Sequence, residues 1–230
     1  MKATLLCSLL GLALLTGCNE NPNAPAAKDT APEPQTQAAA ESKTEKPAAS
    51  ASEAPADDAD LVAIIKTTEG DMVIEFWPDV APKTVASFKR LARENAYNGT
   101  IFHRIMKGFM IQGGDLISKD PSKEALYGTG DPGFTLPAEF SDRKHVRGVI
   151  SMARKGHDVN SASSQFFIVL GDATFLDGQY TAFGKLIKGD DVLEKIGNTP
   201  VTFQNGERSK PTKRVEITAV ELVPLDQITQ

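Results

Sequence analysis

The stretch Phe102-His103-Arg104-Ile105-Met106-Lys107-Gly108-Phe109-Met110-Ile111-Gln112-Gly113-Gly114-Asp115 sets one arginine and one glutamine among large apolar residues. Side chains of an extended chain alternate between faces, so residues an even number apart share a face. Arg104, Met110 and Gln112 have the same parity. A turn at Lys107-Gly108 folds the two halves into a hairpin and brings the three together. The result is a guanidinium fixed beside an apolar surface, with an amide to hold it. Such a surface suits a reaction that needs one well-placed hydrogen bond and no nucleophile.

A matching piece lies downstream. Ser163-Ser164-Gln165-Phe166-Phe167-Ile168-Val169-Leu170 is rich in aromatic and β-branched residues and reads as a strand. Phe175-Leu176-Asp177-Gly178-Gln179-Tyr180-Thr181-Ala182-Phe183-Gly184 reads as a turn followed by another strand. Four blocks, FHRIMKGFMIQGGD, GVISMAR, SASSQFFIVL and LDGQYTAFGK, resemble those of the cyclophilin family of peptidyl-prolyl isomerases, in the family's order and at near-family spacing. The resemblance covers roughly Leu61 to Val223.

Local signals give a consistent architecture. Leu61–Thr67 and Asp71–Phe76 flank Glu69-Gly70 as a hairpin. Strands are expected at Thr100–Met106, Phe109–Gln112, Val149–Met152, Gln165–Leu170, Thr181–Ile187 and Arg214–Val223. One helix has Pro82 in its first turn and an apolar stripe of Val85, Phe88, Leu91 and Ala92. Asn98-Gly99 marks the turn after it. A second helix is expected to take Asp190 as N-cap, to bury Val192, Leu193 and Ile196, and to stop at Gly197. Many strands with two isolated helices point to an all-β, closed antiparallel barrel. The resemblance implies eight strands capped by two α-helices. A barrel of that size is filled by its own side chains, so the site is expected on the outer wall.

The resemblance also assigns roles. Arg104 matches the family's catalytic arginine, and Gln112 the glutamine that orients it. Phe109, Met110, Phe167 and Leu176 match the pocket for the proline ring. Gln165 and Ala153 match positions that bind substrate backbone, and Gly128 matches the loop glycine of the neighbouring pocket. Taken singly, each apolar residue reads as core and Arg104 as a surface charge; the motif changes that reading. The chain departs from many eukaryotic members at two pocket positions, with Phe175 where they carry tryptophan and Tyr180 where they carry histidine. Phenylalanine keeps an apolar wall but lacks the indole N–H, which argues against tight cyclosporin binding and leaves isomerase activity expected. Tyr180 still offers a ring to pack on proline and a hydroxyl to donate. Arg154-Lys155 replaces a neutral pair, and Arg154 is expected to act chiefly through its main chain.

The ends of the chain carry different information. Lys2, the apolar run Ala3–Leu15 and Leu15-Thr16-Gly17-Cys18 describe a secretory signal over residues 1–17. The run is too short to span a bilayer, which takes about 20 apolar residues. Leu-Thr-Gly-Cys resembles the bacterial lipobox, which makes Cys18 a lipidation site. No cysteine follows it, so the mature domain forms no disulfide. Residues 18–60 hold alanine, proline, serine, threonine and charge but no large apolar side chain. That composition predicts a disordered tether reaching roughly 35–40 Å. Residues 61–223 form the isomerase-like domain and 224–230 a short tail. The net charge of −5 lies in the tether. After Asp60 acids and bases balance, which disfavours nucleic acid as a partner.

Several other signals are set aside. Gly128-Thr129-Gly130-Asp131-Pro132-Gly133 fits GxGxxG but has no helix to present a pyrophosphate, and reads as a loop. His103, His145 and His157 lack ligand spacing, so no metal and no other cofactor is expected. His103 reads as a packed core residue. No Ser/His/Asp grouping is evident. The sequence therefore predicts a monomeric isomerase of X–Pro bonds. Its partners would be proline-containing peptides and unfolded or folding envelope proteins. It would be lipid-anchored in the cell envelope, on the outer membrane facing the periplasm, since Asn19 is not the aspartate of inner-membrane retention. The alternative is a proline-segment binding module or chaperone whose turnover is incidental.

Overall fold

The computed structural model describes residues 60–228. The signal segment, Cys18, the tether before Asp60, and Thr229 and Gln230 lie outside them. The element order is β1 (Leu61–Thr67), β2 (Gly70–Phe76), α1 (Pro82–Arg93), β3 (Thr100–Ile101), β4 (Arg104–Met106), β5 (Met110–Gly113), β6 (Val149–Met152), β7 (Phe166–Val169), β8 (Ala182–Lys188), α2 (Asp190–Gly197), β9 (Val201–Gln204), β10 (Glu207–Pro211) and β11 (Glu216–Pro224).

Nine strands form one sheet in the order β3-β11-β1-β2-β8-β6-β7-β5-β4, and β9 and β10 form a separate hairpin. Every pairing in the main sheet is antiparallel. The two edge strands of that order, β3 and β4, are separated in the chain only by Phe102 and His103. The sheet therefore curls until its ends meet at this link. Counting β3 and β4 as one interrupted strand leaves eight, compatible with the expected barrel. The continuous strand expected over Thr100–Met106 is corrected. Phe102 and His103 are both buried, at 0% and 8% exposure. A regular strand sends such neighbours to opposite faces, so the chain bends there instead.

The helices follow from their sequences with one correction. Val85, Phe88, Leu91 and Ala92 of α1 are buried as their spacing requires. Its N-cap Ala81 has no side-chain acceptor. The Glu139 carboxylate supplies one from a distant loop, taking the amides of Lys83 and Thr84 at 3.0 and 2.9 Å. In α2 the N-cap is Gly189, at φ 92°, and Asp190 is the first helical residue. Asp190 lies one position inside the N-cap, and its carboxylate faces Arg147 at 2.8 Å.

Alternation along the strands sorts two apolar clusters. Ile111, Ile168 and Ile150 lie in one register row and are fully buried inside the curl, with Phe88, Phe102, Phe166 and Phe183. Met110, Val149, Phe167 and Val169 have the opposite parity and build a second cluster with Ala173, Leu176 and Ala182. That second cluster sits on the outer wall, where the site was expected.

Candidate active site

The hairpin β4–β5 turns at Lys107-Gly108, where Gly108 has φ 74°. Its register pairs Arg104 with Gln112 and Met106 with Met110. Gln112 in turn pairs with Phe167, and Phe167 with Ser151. One cross-strand row therefore runs Arg104, Gln112, Phe167, Ser151. Adjacent residues of such a row have Cβ atoms about 4.5–5.5 Å apart, so a guanidinium, an amide and an aromatic ring share one small patch.

Arg104 is half-buried, and its donors are nearly all committed. Nε and Nη2 donate to the two carboxylate oxygens of Glu207 at 2.5 and 3.0 Å. Nη2 also reaches the Met106 sulfur at 3.0 Å. Nη1 donates to Gln112 Oε1 at 3.2 Å and approaches the Met110 sulfur at 3.9 Å. The Gln112 amide then donates to Gln165 Oε1 at 3.1 Å. Gln165, 9% exposed, donates to the carbonyls of Gly128 and Gly130 at 3.0 and 3.2 Å. Arg104, Gln112, Gln165 and the Gly128 loop are thus one hydrogen-bonded chain. Asp115 fixes the far end: its buried carboxylate accepts from the amides of Ile117 and Gly128 at 3.0 and 2.5 Å.

Beside this chain lies the apolar floor. Met110 and Leu176 are buried, and Phe167 is 5% exposed. Phe109, Ala153 and Tyr180 pack against them half-buried. Tyr180 meets Phe167 edge to face at 5.8 Å. Phe175 stands 64% exposed with its ring 5.4 Å from Phe109, so it extends the floor as an open flap of surface. The Ala153 amide donates to Gln165 O at 2.9 Å, so only its carbonyl remains for a ligand. Arg154 also has a side-chain role in holding the loops. Its guanidinium lies 4.6 Å from the Tyr180 ring centroid and donates to the carbonyls of Gln179, Lys155 and Gly156. It staples two loops at the pocket edge.

The predicted site residues therefore come together in two adjoining groups, joined where Arg104 meets Met110. Sequence reasoning missed Glu207. The signal was Asn205-Gly206, a dipeptide that favours two-residue hairpin turns; both residues take positive φ, 51° and 84°. The Arg104 guanidinium holds the Glu207 carboxyl below the usual glutamate range, so it is charged at neutral pH.

His145 lies 3.1 Å from Asp177 through Nδ1 and 3.0 Å from Ser151 Oγ through Nε2, a Ser/His/Asp grouping scattered in the chain. Burial pushes the His145 pKa down against the pull of Asp177. Ser151 and His145 are 0% and 1% exposed, and no acyl group can reach the hydroxyl. The grouping supports Phe167 from below, with the imidazole stacked 6.2 Å from its ring. Among the described residues no cluster of three or more His, Cys, Asp or Glu side chains is placed to hold a metal ion. His103 is buried as expected. Its ring nitrogens make no hydrogen bond, and burial pushes its pKa down to about 4.

The family model for cyclophilin-type peptidyl-prolyl cis-trans isomerases matches residues 62–222. A probable peptidyl-prolyl cis-trans isomerase of Brucella abortus (strain 2308) is 44% identical over 167 residues, covering 71% of this chain and 84% of that protein. A peptidyl-prolyl cis-trans isomerase of Arabidopsis thaliana is 42% identical over 156 residues, 67% of either chain. Among solved structures, a Cryptosporidium parvum cyclophilin-type isomerase crystallised in the presence of the dipeptide Ala-Pro superposes with a TM-score of 0.62 at 32% identity, over 70% of this chain and 98% of that one. A cyclophilin of Hirschia baltica gives a TM-score of 0.57 at 26% identity, over 71% and 74%. With the family model, these relatives and the fold in agreement, the chain belongs to the cyclophilin-type peptidyl-prolyl cis-trans isomerases.

Proposed function

We propose that this isomerase twists X–Pro bonds against the Arg104 guanidinium, and that it does so at a bacterial cell envelope. Rotation about the bond breaks amide resonance, a barrier of about 18–20 kcal/mol. At the twisted state the prolyl nitrogen regains a lone pair and accepts a hydrogen bond that it cannot accept when planar. A donor aimed at that nitrogen stabilises the transition state over the ground state, which is what acceleration requires. One charge-assisted hydrogen bond, worth about 1.5–3 kcal/mol, supplies roughly one to two decades. Holding the peptide in a twisted pose supplies the remainder.

The residues divide the work. Phe109, Met110, Phe167 and Leu176 take the proline ring, with Tyr180 and Phe175 at the margin. Gln112 orients Arg104. The Ala153 carbonyl and the Gln165 strand align the substrate backbone, and the Gly128 loop lines the pocket for residues before proline. The observation that carries this reading is the Arg104 guanidinium, held by Glu207 along its Nε–Nη2 edge and by Gln112 at Nη1, with Nη1 also against Met110. Exchange spectroscopy on a proline peptide tests it. Arg104→Ala should abolish most of the acceleration while peptide binding persists; unchanged exchange with binding intact would return the groove to a binding module.

The envelope role rests on residues 1–60. A charged start, a short apolar run and Leu-Thr-Gly-Cys support lipidation at Cys18, with the tether carrying the domain off the membrane surface. Among the described residues no helix is long and apolar enough to cross a membrane. Clients are then envelope proteins whose folding waits on proline. Cys18→Ala followed by cell fractionation tests the anchor: release to the soluble fraction supports it, and retention in the membrane refutes it.

A further inference from the structure

Glu207 is not part of the main sheet. It opens β10, in the hairpin β9–β10, and lies 103 positions from Arg104 in the chain. The hairpin also makes contacts that do not involve Arg104. Lys210 pairs with Glu124 at 2.8 Å, Thr212 N donates to Pro200 O at 2.8 Å, and Ser209 is buried. These contacts set the hairpin that presents the Glu207 carboxylate to Arg104.

A guanidinium carries five N–H donors in a rigid plane. Glu207 takes the Nε–Nη2 edge in a bidentate pair, a geometry that fixes the plane as well as the position. Met106 takes the second Nη2 hydrogen and Gln112 one hydrogen of Nη1. The remaining Nη1 hydrogen has only the Met110 sulfur at 3.9 Å, the weakest contact of the set, and it lies on the side of the apolar floor. We infer that Glu207 is a positioning residue for the isomerase reaction: its carboxylate locks the guanidinium so that a single Nη1 hydrogen is offered to the substrate nitrogen. Without that lock the Nε–Nη2 edge is open to water and to substrate carbonyl oxygens, and the side chain regains its rotamers.

The inference rests on Arg104 being the donor, and the experiment separates the two. Wild type, Glu207→Ala, Glu207→Gln, Arg104→Ala and the double variant Glu207→Ala/Arg104→Ala are compared by exchange spectroscopy on one X–Pro peptide, with peptide affinity measured by titration. Glu207→Ala is expected to lower kcat about tenfold, equivalent to about 1.4 kcal/mol, while KM stays within about twofold. Glu207→Gln keeps one acceptor oxygen in the same place and should fall between the two. The Arg104 Nε–H resonance, sharp and shifted in the wild type, should collapse toward free arginine in Glu207→Ala. In the Arg104→Ala background, removing Glu207 should cost nothing further. A kcat within twofold of wild type in both Glu207 variants overturns the proposal, as does an equal loss with and without Arg104. Glu207→Gln is isosteric and carries the test if Glu207→Ala unfolds the hairpin. If Arg104→Ala itself leaves exchange unchanged, the catalytic reading fails first and for its own reason.

Discussion

Arg104→Lys is the substitution that separates charge from geometry. Both side chains are cationic at neutral pH, so a purely electrostatic role for Arg104 survives the change. The structure predicts otherwise. Arg104 donates along two edges at once, to both Glu207 oxygens at 2.5 and 3.0 Å and to Gln112 at 3.2 Å, and keeps an Nη1 hydrogen over Met110. A lysine ammonium presents three donors from one point. Drawn to the Glu207 carboxylate, it leaves Gln112 unpaired and no donor over the floor. The loss is then the transition-state hydrogen bond, about 1.5–3 kcal/mol, or about 10- to 150-fold in kcat. On the proposed reading, ground-state affinity comes from Phe109, Met110, Phe167 and Leu176, whose side chains the substitution leaves in place, so KM should move by no more than about twofold. Exchange spectroscopy gives kcat across substrate concentrations, and peptide titration gives affinity separately. A kcat within threefold of wild type, or a loss carried wholly by KM, would refute the geometric argument and leave only the charge.

Three further outcomes are expected. Gly130→Ala places a Cβ 1.8 Å from the buried Asp115 Oδ1 and must displace a carboxylate that holds the Gly128 loop; a destabilisation of about 2–4 kcal/mol, seen as a fall of roughly 5–15 °C in Tm, is expected by calorimetry. His103 is neutral in the fold down to about pH 4, whereas the unfolded chain protonates it near 6.5. Its share of stability is therefore complete above about pH 6.5 and declines by about 3 kcal/mol as pH falls to about 4; His103→Leu should lack that slope, and denaturant titrations of both proteins across the window check it, with parallel curves counting against burial as the cause. Tyr180→Phe keeps the edge-to-face contact with Phe167 at 5.8 Å and the platform for Arg154, and should leave kcat/KM within twofold, while Tyr180→Ala should raise KM several-fold.

What was legible in the sequence follows from which interactions are local. The hairpin β4–β5 was readable because Lys107-Gly108 marks the turn and the apolar residues on each side fix parity. Helix α1 was readable from one apolar stripe and one proline. The hairpin β9–β10 was not, although Asn205-Gly206 carries the turn, because Thr202-Phe203-Gln204 and Glu207-Arg208-Ser209 show no apolar alternation. Its one aromatic residue, Phe203, is 68% exposed. The pair Arg104–Glu207 and the grouping His145–Ser151–Asp177 depend on where the barrel puts distant loops, and no spacing records that. The N-cap of α2 was misread by one position. Asp190 has the right chemistry but stands one position inside the cap, where its carboxylate faces Arg147, 43 positions away.

Register is the quantity on which the site depends most. The row Arg104–Gln112–Phe167–Ser151 lies on the outer wall because β4, β5, β7 and β6 pair with no bulge between them. The neighbouring row, Ile105–Ile111–Ile168–Ile150, lies fully inside. A slip of one residue in β4 would send Arg104 inward and Ile105 outward. Burying an unpaired guanidinium and exposing an isoleucine are both unfavourable, and by amounts large against a typical domain stability of about 5–15 kcal/mol. The apolar alternation that packs the interior therefore also aims the guanidinium outward. The same physical constraint therefore buries one face of the stretch 102–115 and turns its other face, with Arg104 and Gln112, toward the outer wall.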